Sequence, residues 1–359
     1  MPLVTPGGGR NGSGTVGRAA AALVALPMTA ALLGCDPDAM WRGPGDAAAP
    51  VATADGGSED AGVGASAGPP YPVVLAHGFF GFEDFAGSDF VNYFYGVKDH
   101  LASVGETEVF TPAVDPFNNS EQRGAQLAER VRQILAATGQ TKVNLIGHSQ
   151  GGIDARVVAH DHPEWVASVV TLATPHRGSV IADIALKLIV DPNLDAVLDF
   201  FVQMTGTSIW DGAGGETELG ASLHQLTTTE AAAFNERYPD APGVAYWSSG
   251  GRSDRHRGGA RCDVEMPPFI AAWQDTLDPI DPALIVNEAI LDGQGLIPAP
   301  NDGLVTIESA AWGTFLGCLP ADHLDEVGQL LGDQPGLGNG WDHLQFYADL
   351  VAWLRQQGL

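Results

Sequence analysis

Val143-Asn144-Leu145-Ile146-Gly147-His148-Ser149-Gln150-Gly151-Gly152 is the stretch on which the reading of this chain turns. An apolar run feeds straight into G-x-S-x-G, and the segment beginning Ile153-Asp154-Ala155-Arg156 reads as a helix. A strand that turns sharply into a helix puts a serine on a strained backbone at the tip of the turn. Gly147 and Gly151 leave room for the close approach of neighbouring chain that such a turn needs. Ser149 is therefore the candidate nucleophile. Chance is the competing reading, because a chain with 46 glycines will flank some serine with them. The buried strand before the motif and the helix after it are the context that chance does not supply.

Working outward, strand-like and helix-like pieces alternate from Tyr71 on. Pro72-Val73-Val74-Leu75-Ala76 reads as a buried strand running into His77-Gly78, and a helix is expected over about 122–138. After the elbow helix, expected to reach about His160, come the apolar run Ala167 to Leu172, the strand Val244-Ala245-Tyr246-Trp247-Ser248 and an amphipathic helix from about Leu344 to Leu354. This alternation predicts an α/β fold, a mostly parallel central sheet covered by helices. Residues of about 178–235 depart from it, with Ile181, Ile184, Ala185 and Leu188, then Leu194, Val197, Leu198 and Phe201, spaced as helical stripes. They read as a helical cap or lid insertion whose sticky face would be Phe200, Phe201, Val202 and Met204, or as plain core helices.

A serine hydroxyl attacks only when a base takes its proton, and that base needs a third group to fix its tautomer. The elbow resembles that of the α/β-hydrolases, which supply these groups in the chain order Ser, Asp or Glu, His. Asn301-Asp302-Gly303, followed by strand-like Leu304-Val305-Thr306-Ile307, and the loop Asp322-His323-Leu324-Asp325-Glu326 stand in that order. Asp302 is the expected orienting carboxylate and His323 the base, with His343, at the head of the last helix, as the rival. His148 is expected to point away from the nucleophile, and His160 and His162 read as surface residues. The oxyanion of a tetrahedral intermediate needs two backbone donors, here the N–H of Gln150 and that of Phe79 in His77-Gly78-Phe79-Phe80-Gly81.

Against 44 acidic residues stand only 17 basic ones, a formal net charge of −27 that opposes phosphate backbones and anionic lipid headgroups. Nucleic acid is excluded as a partner on that ground. Arg10 and Arg18 precede an apolar run, Ala19 to Leu33, that ends Leu32-Leu33-Gly34-Cys35 and is too short to span a bilayer comfortably. Residues 1–35 thus resemble a bacterial lipoprotein signal that leaves Cys35 as the lipidated residue; an ordinary signal peptide is the alternative. The expected location is the cell envelope, facing the periplasm or at the cell surface, or else free secretion. Residues 36–70, rich in Ala, Gly and Pro, have little to bury and read as a flexible tether, so the catalytic domain is expected over 71–359. With Cys35 carrying lipid, Cys262 and Cys318 remain as a candidate pair in an oxidising compartment.

Five motifs in order resemble the true lipases of the Pseudomonas/Burkholderia type, secreted α/β-hydrolases that act on triacylglycerols. They are Tyr71-Pro72 with Ala76-His77-Gly78-Phe79, the run from Ala136 through the elbow to Gly152, Ala173-Thr174-Pro175-His176-Arg177-Gly178-Ser179, Asn301-Asp302-Gly303, and His323-Leu324-Asp325-Glu326. The resemblance spans roughly residues 71–335 and favours His323 over His343. It further implies a structural calcium ion held by Asp278 (with Asp281 in competition), Asp325 and the carbonyls of Gln329 and Asp333, tying down the His323 loop. A lipid ester at an oil–water interface is the implied substrate, and many members require a membrane-anchored foldase. Three features depart from that pattern: the lipid anchor, the placing of the cysteines and the cap sequence. An esterase or polyester depolymerase on the same triad, or a surface-binding lipoprotein without activity, are the competing readings.

Overall fold

The structure is a computed structural model that describes residues 68–79, 93–190, 216–253, 262–293, 299–329 and 339–359. Cys35, the tether up to residue 67, the cap residues Leu194, Val197, Leu198, Phe200, Phe201, Val202 and Met204, and Asp333 lie outside the described residues.

In chain order the elements are β1 (Val73–Ala76), α1 (Val97–Ser103), β2 (Val109–Phe110), α2 (Ser120–Thr138), β3 (Val143–His148), α3 (Gln150–Asp161), β4 (Val166–Leu172) and α4 (Val180–Val190). Then follow α5 (Glu216–Gln225), α6 (Thr228–Arg237), β5 (Ala245–Gly251), α7 (Pro268–Ala271), α8 (Ile285–Leu291), α9 (Ile307–Ala310), β6 (Thr314–Leu319) and α10 (His343–Gln356). The strands form one parallel sheet in the order β2-β1-β3-β4-β5-β6. Because β1 connects outward to β2 whereas β3 lies on its other side, the strand order reverses between β1 and β3. In open α/β sheets the crevice beyond the carboxyl ends of the strands at such a reversal is where ligands bind. The two segments that leave those ends are His77-Gly78-Phe79 and Ser149.

Every residue of β1, β3 and β4 is buried, as expected of a parallel sheet covered on both faces. Alternate side chains serve opposite faces. Leu75, Ile146 and Val170 pack with Val97 and Leu101 of α1 and Phe346, Leu350 and Leu354 of α10. Val74, Leu145 and Val169 pack with Leu127 and Val131 of α2 and Ala155 and Val158 of α3. The ends of α2 are set by side chain and backbone: Asn119 accepts the N–H of Gln122 at 3.0 Å, and Gly139 closes the helix in the left-handed region.

One expected strand is absent. Leu304-Val305-Thr306-Ile307 turns instead into the one-turn helix α9, with Thr306 bridging back to Asn301 and capping Ser309 N–H at 3.2 Å. The Asp302 carboxylate takes the N–H groups of Leu304 and Val305, a local bond that competes with any sheet ladder. Cys262 and Cys318 form a disulfide that closes a loop with a sequence separation of 56, worth about 4 kcal/mol in the chain-entropy account. It ties the segment after β5 to the strand that leads into the His323 loop. Among the described residues, no helix is long and apolar enough to cross a membrane.

Candidate active site

Ser149 stands between β3 and α3 with φ 54° and ψ −129°, one of two non-glycine residues of positive φ among those described. Such a backbone costs on the order of 1–3 kcal/mol and persists only where its surroundings fix it. Ser149 N–H donates to Leu172 O at 2.9 Å. A Cβ on Gly151 would lie 2.1 Å from Ala76 O, and one on Gly147 would lie 2.5 Å from Gly152 Cα, so the crossing of β1, β3 and α3 admits no side chain at either position. The glycines of G-x-S-x-G therefore serve close packing, as the sequence implies.

The structure brings Asp302 and His323 together. Asp302 Oδ2 lies 2.8 Å from His323 Nδ1, and Asp302 Oδ1 accepts N–H from Leu304 at 2.8 Å and Val305 at 2.6 Å. His323 N–H also donates to Asp302 O at 3.0 Å. Both side chains are buried, and His323 lines one cleft together with Ser149. His343 is held elsewhere, with Nε2 donating to Tyr95 O at 2.8 Å, and does not line that cleft.

The loop carrying Phe79 is fixed by a charge that sequence reasoning missed. Arg123, fully buried, donates to His77 O at 2.6 Å, Gly78 O at 3.2 Å, Asp115 O at 2.7 Å and Asp154 Oδ2 at 2.8 Å. Burial pushes the Asp154 carboxyl up to about 6 despite the pull of the Arg123 guanidinium. His77 is held neutral, its pKa lowered to about 3 by burial and by the nearby guanidinium. In that form Nε2 accepts the N–H of Val114 at 3.1 Å while Nδ1 donates to Gly78 O at 3.0 Å. A signal for Arg123 was present: a charge on the stripe Arg123, Leu127, Val131, Ile134 of α2 must find a buried partner.

Gln150 opens α3, where first-turn N–H groups have no partner inside the helix and the helix dipole favours negative charge. Its side chain turns away, with Nε2 donating to Asn118 O at 2.9 Å. That carbonyl also accepts the hydroxyl of Ser222 on α5 at 2.6 Å. The cleft, about 480 Å³ of space partly open to solvent, is lined by Ile181, Ala182 and Ala185 of α4 and Leu223 and Leu226 at the end of α5, together with Ser149 and His323. The helical insertion thus contributes the apolar wall. On α4, Ile181 and Ala185 are buried while Ile184 is 36% exposed, so the expected stripe is only partly covered.

His148 does not point away from the site. It is fully buried, and its ring lies 4.6 Å from that of His323, between centroids. His160 and His162 are half-buried near the surface, packed on Tyr238 and Trp165.

Behind His323, Asp278, Asp322 and Asp325 each offer a carboxylate oxygen within 4.8 Å of the others, all three side chains buried. Neither carboxylate oxygen of Asp325 receives a hydrogen bond. Burial and the neighbouring carboxylates raise Asp322 and Asp325 well above the usual range. A buried, oxygen-lined, mutually repelling set of this kind suits a hard divalent cation. Asp322 is the member that sequence missed. Asp281 touches the group through its N–H, 2.6 Å from Asp322 Oδ2, and Gln329 closes the loop by donating its N–H to Leu324 O at 2.9 Å.

Comparison with known proteins places this geometry. The family described as alpha/beta hydrolase fold matches residues 71–283. A triacylglycerol lipase of Pseudarthrobacter phenanthrenivorans is 35% identical over 291 residues, 73% of this chain and 90% of that protein. One from Burkholderia plantarii is 35% identical over 73% of this chain and 80% of its own length, and one from Pseudomonas fragi 31% identical over 80% and 97%. Among solved structures, a Staphylococcus hyicus lipase superposes with a TM-score of 0.55 at 19% identity, covering 80% of this chain and 95% of its own, a likeness of fold. The chain belongs to the α/β-hydrolase fold family, and within it to the lipases of the Burkholderia and Pseudomonas type.

Proposed function

We propose that this chain hydrolyses lipid esters, triacylglycerols above all, through an acyl-enzyme on Ser149. The observation that carries the reading is the buried Asp302–His323 pair opening into the same apolar cleft as the strained Ser149. Asp302 keeps the His323 proton on Nδ1, so that Nε2 is the nitrogen that takes the Ser149 proton as its oxygen attacks the ester carbonyl. The resulting oxyanion lies against the N–H groups of Gln150 and Phe79. His323 then returns the proton to the departing alcohol, and water repeats the sequence on the acyl-enzyme. Lipid esters suit the wall of Ile181, Ala182, Ala185, Leu223 and Leu226, which offers an acyl chain apolar surface beside the nucleophile.

Asp278, Asp322 and Asp325, with backbone carbonyls of the kind Gln329 offers, would hold calcium. Bound there, the ion would offset two of the three buried negative charges and would fasten the loop that presents His323. Chelation is accordingly expected to lower the melting temperature and the hydrolysis rate together, both restored by calcium but not by magnesium, whose smaller, stricter shell suits this cluster poorly. Equal melting temperatures with and without chelator would refute the assignment. The export signal and Cys35 support a cell-envelope lipoprotein whose catalytic domain, 71–359, reaches substrate from a tether.

The substrate class is tested by rates on an emulsified long-chain triacylglycerol and on a short soluble ester. A rise in rate as substrate passes its solubility limit, with hydrolysis of the long-chain emulsion, is expected. Activity confined to the soluble ester would make the protein an esterase. Inertness toward both, and toward a serine-directed phosphonate, would leave a binding lipoprotein.

A further inference from the structure

Gly78 precedes the oxyanion donor Phe79 and is wedged between two groups. A Cβ there would lie 2.6 Å from Tyr93 Oη and 2.7 Å from Ser149 Cβ. Arg123 grips this loop by its carbonyls. Its amide side faces Tyr93, whose oxygen accepts the Gly78 N–H. Tyr93 Oη in turn lies 2.7 Å from His148 Nδ1, and His148 Nε2 lies 3.1 Å from Glu326 Oε2, in contact but outside hydrogen-bond geometry. None of the three side chains is more than 6% exposed.

The order of donors follows from chemistry. With its oxygen receiving the Gly78 amide, Tyr93 directs its own proton to His148 Nδ1, which leaves the His148 proton on Nε2, on the side of Glu326. Burial and the neighbouring His323 keep His148 neutral, as this arrangement requires. A purely structural role here would be met by apolar side chains of similar volume, since replacing both partners of a buried hydrogen bond is nearly neutral in stability. The chain instead runs polar groups from the oxyanion loop to residue 326, three positions beyond His323.

We propose that Tyr93, His148 and Glu326 form a buried relay that sets the Gly78–Phe79 loop against Ser149, so that Tyr93 and His148 are positioning residues for the oxyanion. The proposal rests on the serine hydrolase reading above. With Arg123 fixing the carbonyls and Tyr93 the amide, the Gly78 peptide is held from both sides and the following N–H is aimed. Misplacing a reacting group by 1 Å costs as much as about 100-fold.

The test compares wild type with Tyr93→Phe, His148→Gln and His148→Leu, reading kcat and KM on a soluble ester, the rate of covalent labelling by a p-nitrophenyl phosphonate, and the melting temperature. Tyr93→Phe keeps the ring and removes only the hydroxyl. It is expected to lower kcat and the labelling rate in parallel by about 10- to 100-fold with KM nearly unchanged, because the phosphonate also places its charged oxygen in the hole. His148→Gln, which retains a donor and an acceptor, should recover much of the rate that His148→Leu loses. Wild-type kcat and labelling in Tyr93→Phe, even with a lower melting temperature, would overturn the relay, and that variant decides the matter if His148→Leu fails to fold. A wild-type protein that does not label at all would refute the hydrolase reading itself.

Discussion

Ser149→Ala is expected to lower kcat toward every ester by about a million-fold, the loss seen when a triad nucleophile is removed. The magnitude follows because the hydroxyl cannot be replaced by a neighbour. Ser179, the other serine lining the cleft, donates its hydroxyl to Leu304 O at 2.6 Å and is engaged in holding the Asp302 turn. Alanine keeps the same strained backbone at φ 54°, so folding should be untouched and the melting temperature close to that of wild type. Residual hydrolysis above the spontaneous rate would come from the oxyanion donors alone, about 1,000- to 10,000-fold over water. The check is ester hydrolysis by purified variant and wild type, with phosphonate labelling followed by mass spectrometry of the peptide containing residue 149. Labelling of the variant at another residue, or a rate within tenfold of wild type, would remove Ser149 from the mechanism.

The parts of this site that sequence reveals are those carried by local pattern. Gly147 and Gly151 announce the elbow because only glycine fits where α3 crosses β1 and β3, and Asn301-Asp302-Gly303 announces a turn because the Asp302 carboxylate caps the N–H groups of Leu304 and Val305. The same turn defeats the expected strand at Leu304–Ile307: apolar, β-branched residues suggested pairing, but Asp302 had already claimed the amides of Leu304 and Val305. What sequence hides is whatever depends on residues distant in the chain. Arg123 reaches the His77–Phe79 loop across 45 positions, and Tyr93 reaches His148 across 55. Asp322 became visible as a metal-ligand candidate only once the fold brought the Asp278 carboxylate beside it. His148 was misjudged because adjacency to the nucleophile says which way a strand side chain starts, and not that the ring of His323 would lie against it.

Asp302→Asn should cost about 10,000-fold in kcat with a much smaller loss of stability, and the hydrogen bonds of Asp302 say why. Its carboxylate meets donors on both sides: His323 Nδ1 at Oδ2, and the N–H groups of Leu304 and Val305 at Oδ1. An asparagine amide has one acceptor and one donor end. Turning the NH₂ toward Leu304 and Val305 opposes it to two backbone donors and breaks the turn. Turning it toward His323 preserves the turn but makes the side chain donate to Nδ1, which drives the imidazole proton to Nε2, where no lone pair remains to accept from Ser149. The second arrangement costs less, so the protein folds with its base in the wrong tautomer. His343→Gln, in a residue tied to Tyr95 O and outside the cleft, should by contrast leave kcat near wild type. The measurement is kcat for both variants on a soluble ester, alongside thermal melting. If Asp302→Asn kept kcat within tenfold while His343→Gln lost it, the base would be His343, and the Asp302–His323 pair would be a structural contact only.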